Sequence, residues 1–223
     1  MSIAVRFRAI LFDFDGVLIE SEAAGNAQIA RYLTSIGHPT NRGQAMDQFM
    51  GLSGPDFIAA LERWIGRALP QDFMAARLEE DARVLAEGVG EVAGAVAFVR
   101  SLPPELPRAV VSSSSTHWIA THLDHLGLSD AFPHIYSGKE HVARGKPAPD
   151  LYLLAADRLG VPIADCAIIE DSPVGATGAV ASGGYVIGLC AGTHCRPGHD
   201  ARLHAIGVDA VASDFTEVAR LLA

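Results

Sequence analysis

Two aspartates stand two positions apart at the close of an apolar run, Ala9-Ile10-Leu11-Phe12-Asp13-Phe14-Asp15-Gly16. In an extended chain the side-chain period is two, so Asp13 and Asp15 project to the same side. A second apolar run closes the same way: Cys166-Ala167-Ile168-Ile169-Glu170-Asp171-Ser172, with Pro173 opening the next segment. Acids crowded at strand ends repel unless a cation or a shared proton relieves them. Four carboxylates at the ends of two strands read as a hard-cation site. Mg²⁺ suits it, because it favours carboxylates, water and phosphate oxygens. Asp171 or Ser172 could also cap the following helix, but capping does not explain the acids after the first run.

Two further segments could hold an anion. Ala109-Val110-Val111 leads into Ser112-Ser113-Ser114-Ser115-Thr116 directly before a helical pattern. Hydroxyls and backbone N–H groups at a helix start make a phosphate cradle, although Ser114 or Ser115 also reads as an ordinary N-cap. In Gly145-Lys146-Pro147 a single lysine is fixed between two residues of special backbone preference. Out of context Lys146 would be a solvated surface charge.

These residues need a scaffold of buried strands. Short apolar runs alternate with helical patterns, which predicts an α/β fold with a mostly parallel, Rossmann-like sheet flanked by helices. The predicted strands are Ala9–Phe12, Arg108–Val111, His134–Tyr136, Cys166–Ile169, Tyr185–Leu189 and Ala210–Val211. A helix is expected around Trp118–Leu126, ended by Gly127, and another over Asp150–Leu159, between Pro149 and Gly160. Residues 19–87 contain no strand pattern, only helical ones such as Ala27–Ile36, Phe57–Ile65 and Phe73–Leu85. A βαβ crossover needs one helix, so this stretch reads as a helical cap inserted after the first strand, with residues 1–18 and 88–223 forming the core.

Composition sets the limits. A chain of 223 residues, 49% hydrophobic, can bury a sizeable core and is not a disordered tail. Its 17 basic and 26 acidic residues give a net charge of −9, which argues against nucleic-acid and membrane-surface partners. No export signal or membrane helix is expected, and three cysteines without an even framework suit a reducing cytoplasm. A monomer or small homo-oligomer acting on a small molecule is the expectation.

The ordered set Asp13-Phe14-Asp15-Gly16-Val17-Leu18, Ser112, Gly145-Lys146-Pro147-Ala148-Pro149-Asp150 and Glu170-Asp171-Ser172 resembles the haloacid dehalogenase superfamily, in its phosphatase and β-phosphoglucomutase-like branch. The helical insertion resembles that family's cap. The resemblance implies that Asp13 is a nucleophile forming an aspartyl-phosphate and a Mg²⁺ ligand. It implies that Asp15 is the acid/base, its carbonyl binding the metal, and that Asp171 completes the metal site with Glu170 as ligand or outer support. Ser112 and the Ser113 N–H would hold phosphoryl oxygens, and Lys146 would offset charge between nucleophile and phosphate. The implied activity is hydrolysis of a small phosphorylated metabolite, a sugar or sugar-acid phosphate. The alternatives are a sugar phosphomutase or a non-catalytic phosphometabolite-binding module.

Mutase-like relatives carry a histidine and an arginine in the cap, near positions where this chain has Gly25 and Gly54, and Glu20 stands where relatives usually have aspartate. Asn26, Arg31, Arg42 and Arg63 are the polar candidates left in the cap. Three other signals are set aside. Gly88-Val89-Gly90 lacks the preceding strand of a dinucleotide fingerprint and reads as a hinge. Cys190, His194, Cys195 and His199 invite a zinc reading, but the cysteine spacing is off-pattern, and Gly192 and Gly198 predict a mobile loop. His117, His122 and His125 lie on a helix, where a lining role or solvent exposure is expected.

Overall fold

A computed structural model of the chain describes residues 3, 5–49 and 54–223. Its sheet has six strands, β1 (Ala9–Phe12), β2 (Arg108–Ser112), β3 (Ile135–Ser137), β4 (Cys166–Glu170), β5 (Tyr185–Leu189) and β6 (Ala210–Ala212), in the order β3-β2-β1-β4-β5-β6. Every pairing is parallel. Parallel strands are covered on both faces, which is why β1, β2 and β4 are buried along their whole length and read as unbroken apolar runs.

Four helices follow β1: α1 (Ser21–Ser35), α2 (Arg42–Phe49), α3 (Gly54–Ile65) and α4 (Phe73–Glu87). Six more accompany the sheet: α5 (Ala95–Ser101), α6 (Thr116–His125), α7 (Asp150–Leu159), α8 (Pro173–Ser182), α9 (His199–Ile206) and α10 (Phe215–Leu222). The chain divides into two compact units, residues 1–20 with 90–223, and residues 21–89. Among the described residues no helix is long and apolar enough to cross a membrane.

The helical unit has its own core, in which Ile29 and Leu33 of α1 meet Ala45 and Phe49 of α2, Leu61 of α3 and Phe73 of α4. Trp64 Nε1 donates to Thr40 Oγ1 at 3.0 Å and so keeps its indole nitrogen satisfied. Helix α2 carries no strong apolar signal in the sequence; only Ala45, Met46 and Phe49 of it are buried.

Register explains how the sheet presents chemistry. Phe12 is level with Val110 on β2 and with Ile169 on β4, so the chain beyond these positions emerges at one edge. Ser112, Asp13 and Glu170 therefore leave three adjacent strands side by side. Strand order also reverses about β1, and open α/β sheets bind ligands at such a crevice beyond the strands' carboxyl ends. Strands β2 and β4 each run one residue further than the apolar pattern predicts, and that extra residue is Ser112 in one and Glu170 in the other. Strand β3 is displaced by one position, and the His134 carbonyl just before it accepts the Val110 N–H at 3.0 Å.

Candidate active site

Asp13 is the first residue past β1. Its N–H donates to Ile169 O at 2.9 Å, which ties it to β4, and its side chain is buried. The chain then turns at Gly16 with φ +83°, the Gly16 N–H donating to Ile19 O at 2.8 Å. Only glycine fits there. The left-handed backbone disfavours a side chain, and a Cβ would stand 2.1 Å from Asp171 Oδ2.

Lys146 joins the two acidic strand ends. Its Nζ donates to Asp13 Oδ1 at 2.7 Å and to Glu170 Oε1 at 2.5 Å. Glu170 is fully buried and engaged at both oxygens. Tyr152 of α7 places its hydroxyl 2.7 Å from Oε1, while Oε2 accepts the Ser172 N–H at 3.2 Å and the Ser172 hydroxyl at 3.1 Å. Ser172 also caps α8, accepting the Gly175 N–H at 3.0 Å. The Lys146 ammonium lies 5.2 Å from the Tyr152 ring centroid.

Carboxylate oxygens of Asp13, Glu170 and Asp171 fall within 4.8 Å of one another, and all three residues are buried. One ammonium among three carboxylates leaves the pocket short of positive charge. Burial first, then the charge of Glu170, holds the Asp13 pKa well above the ordinary aspartate value despite Lys146. For Lys146 burial opposes the charged form, yet Asp13 and Glu170 outweigh it and raise its pKa. An acid cluster strained in this way fits a divalent cation, and its all-oxygen donors suit a hard one.

Asp15 is held by a different set of partners. Its Oδ2 accepts from Ser114 Oγ at 2.6 Å and Ser112 Oγ at 3.2 Å, and its Oδ1 accepts from Trp118 Nε1 at 3.2 Å. Ser112 Oγ also accepts the Ser114 N–H at 2.9 Å. Of the serines expected to cap α6, Ser115 does so, its Oγ accepting the Trp118 N–H at 3.3 Å, whereas Ser114 serves Asp15. Ser113 is exposed beside this group.

The loop after β5 carries His194 to a buried position, with Nε2 2.7 Å from Asp171 Oδ2. His199 Nε2 lies 2.6 Å from the Asp171 carbonyl oxygen. Gly192 is there for packing, since a Cβ would meet His194 Cε1 at 2.4 Å. Glu20 anchors the same loop by accepting the Thr193 N–H at 2.9 Å and its hydroxyl at 2.7 Å. Of the three histidines on α6, His122 is wholly buried, its ring tilted against Trp118 with centroids 4.1 Å apart, whereas His117 and His125 are exposed.

In the helical unit Gly25 lies inside α1, and a Cβ there would meet nothing within 4 Å. Gly54 opens α3. Asn26 is buried and donates from Nδ2 to Glu22 O at 2.8 Å; Arg31 is paired with Glu80 of α4 at 2.6 Å; Arg42 and Arg63 are exposed. Gly88 ends a helix, as the hinge reading requires, and does not follow a strand.

Tyr152, Ser114 and Trp118 are the neighbours that sequence reasoning missed, together with the Asp171 contacts of His194 and His199. Tyr152 lies on the apolar face of a correctly predicted helix, where its hydroxyl was the only available signal.

A profile described as haloacid dehalogenase-like hydrolase matches residues 7–183. Hexitol phosphatase A of Escherichia coli K12 is 30% identical over 189 residues, which cover 83% of this chain and 84% of that protein. The 6-phosphogluconate phosphatase of the same organism is 26% identical, covering 86% of each chain. Among solved structures, a haloacid dehalogenase family hydrolase of Deinococcus radiodurans with bound phosphate and sodium superimposes with a TM-score of 0.83 at 31% identity, covering 98% of this chain and 99% of that one. A haloacid dehalogenase-like protein of unknown function from Agrobacterium tumefaciens gives a TM-score of 0.86 at 31% identity, covering 96% and 97%.

Proposed function

Because the chain belongs to the haloacid dehalogenase-like hydrolase family, we propose that it is a Mg²⁺-dependent phosphatase that hydrolyses a small sugar phosphate or sugar-acid phosphate through an aspartyl-phosphate. The observation that carries this reading is the Lys146 bridge between Asp13 and Glu170, with Asp171 beside it. A nucleophilic carboxylate and an anionic phosphate repel, and the Lys146 ammonium held against Asp13 offsets part of that repulsion.

Asp13 attacks phosphorus, and the bond to the leaving oxygen breaks as Asp15 gives that oxygen a proton. Water then attacks the phosphorus of the aspartyl-phosphate while Asp15 takes a proton back, which restores the Asp13 carboxylate and releases inorganic phosphate. Ser112 and the Ser113 N–H hold the phosphoryl oxygens. Mg²⁺, when bound by Asp13, Asp171 and the Asp15 carbonyl, supplies charge neutralisation and orients the phosphoryl group. Glu170 fixes Lys146, since its own oxygens are committed to Lys146, Tyr152 and Ser172.

Two relatives named as phosphatases of sugar derivatives support the substrate class. Gly25 and Gly54 favour hydrolysis over a mutase reaction, which must grip a second phosphate while the sugar turns round. The test is release of inorganic phosphate from p-nitrophenyl phosphate and from a panel of sugar phosphates. Release should require Mg²⁺, stop on chelation and be abolished in Asp13→Asn. Undiminished turnover by Asp13→Asn would overturn the nucleophile assignment. Rapid isomerisation of β-glucose 1-phosphate with negligible phosphate release would establish the mutase instead.

A further inference from the structure

Asp171 is gripped at two separate atoms by the segment that follows β5. His194 Nε2 stands 2.7 Å from its carboxylate Oδ2, and Nε2 of His199, the first residue of α9, stands 2.6 Å from its carbonyl oxygen. An ionised carboxylate and a carbonyl only accept, so both imidazoles donate from Nε2. Cys195 Sγ lies 3.5 Å from the same His194 nitrogen, and a sulfur there is a weak rival to a carboxylate.

Neither imidazole has room to swing away. His194 is 3% exposed and His199 7%. The His194 ring fills a slot that two glycines leave open. A Cβ on Gly192 would stand 2.4 Å from its Cε1, and one on Gly16 would stand 3.0 Å from the same carbon. Gly16 directly follows Asp15, so the slot is built jointly from the chain after β1 and the chain after β5. Thr193, the neighbour of His194, is anchored by Glu20 through its N–H and its hydroxyl.

Asp171 needs such support. Carboxylate oxygens of Asp13 and Glu170 lie within 4.8 Å of its own, and like charges that close push one another apart when no cation lies between them. A carboxylate that turns away to relieve the repulsion must turn back before it binds a metal, and that reorganisation costs affinity. A hydrogen bond at Oδ2 fixes the rotation of the carboxyl group, and one at the carbonyl fixes the chain just past β4. We propose that His194 is a positioning residue for divalent-cation binding, orienting the Asp171 carboxylate while His199 holds its backbone. This role rests on the reading of Asp171 as a Mg²⁺ ligand and adds that the acids alone do not set the affinity.

Metal binding tests this without an activity assay. Mn²⁺, a paramagnetic stand-in for Mg²⁺, is titrated into the chelator-stripped full chain, and binding is read as loss of the free-ion electron paramagnetic resonance signal, with Asp171→Asn marking the site. The amide of glutamine reaches the place of imidazole Nε2, whereas that of asparagine stops short. His194→Asn should weaken Mn²⁺ binding about 10–100-fold, the usual effect of removing the hydrogen-bond partner of a metal ligand, and His194→Gln should restore most of it. Both should keep the wild-type helical circular dichroism. If His194→Asn does not fold, His194→Leu, which fills the slot without a donor, takes its place. Wild-type affinity in the folded Asn or Leu variant overturns the proposal. A Gln variant no tighter than either also overturns it, because the ring would then act by packing alone. Both results leave the phosphatase reading standing. Wild-type Mn²⁺ binding that is absent, or unaffected by Asp171→Asn, overturns the two readings together.

Discussion

Trp118 Nε1 donates to Asp15 Oδ1 at 3.2 Å across 103 positions of sequence, while Ser114 and Ser112 hold the other oxygen. The acid/base group of the proposed mechanism is therefore oriented by the first turn of α6 and by the serines between β2 and that helix. The serine-rich segment that would bind phosphate is that same connection, so the two functions share the β2–α6 junction.

Trp118→Phe keeps an aromatic ring beside His122 but removes the donor to Asp15. A hydrogen bond to a charged group contributes about 1.5–3 kcal/mol, and partial exposure lowers the net effect here. We expect kcat on a sugar phosphate to fall about tenfold, equivalent to about 1.4 kcal/mol, with KM little changed. The loss should be smaller on p-nitrophenyl phosphate, whose leaving group needs little protonation. Equal losses on both substrates would show that the indole does not act through Asp15.

The Tyr152 hydroxyl reaches Glu170 at 2.7 Å in the fully buried layer under Lys146. Burial first, then Glu170, raises the Tyr152 pKa, so the group remains a donor throughout the working pH range. Tyr152→Phe should destabilise the protein by about 1–3 kcal/mol, because Glu170 loses a buried partner. Urea unfolding measures this, and an unchanged midpoint would mean the hydroxyl spends its proton on the Gly175 carbonyl, 3.1 Å away.

Much of the site was legible because it stands where unbroken apolar runs stop. Apolar runs that are buried on both sheet faces show their ends sharply, and Asp13, Ser112 and Glu170 all lie at such ends. The supports were not legible, for a physical reason. Trp118, Tyr152 and His194 are ordinary positions on helices and loops until the fold brings them to Asp15, Glu170 and Asp171, and no local pattern encodes those pairings. The glycines of the loop after β5 were ambiguous, because glycine signals both freedom and close approach. At Gly192 the ring of His194 decides for the second. Helix α2 escaped notice because its buried face is only three residues, one of them alanine.

Gly25 offers a stability test in the helical unit. It occupies the interior of α1, where glycine costs about 0.8–1 kcal/mol relative to alanine, and no neighbour lies within 4 Å of an added Cβ. Gly25→Ala should raise stability by roughly that amount, read as a higher urea midpoint for the loss of helical circular dichroism. A lowered midpoint would mean that the space is needed by the native packing.

His122 sets a pH dependence whose sign follows from its burial. Desolvation lowers its pKa below the ordinary 6.5, outweighing the favourable contact of Nδ1 with the Trp118 carbonyl at 2.9 Å. The folded protein therefore resists protonation that the unfolded chain accepts. Above pH 6.5 both states are neutral and the group adds no slope. As pH falls from 6.5 toward the lowered folded value, the unfolded state binds more protons and stability is lost, by at most about 1.4 kcal/mol per pH unit for one proton. His199 is shifted in the same direction, again chiefly by burial, and adds to the trend. His122→Gln removes one of the two contributions while leaving the carboxylates that titrate at lower pH unchanged. Unfolding free energies measured from pH 8 to pH 5 should decline less steeply in the variant below pH 6.5 and run parallel above it, whatever constant offset the substitution introduces. Parallel curves over the whole range would show that His122 takes up its proton as readily in the fold as in the unfolded chain.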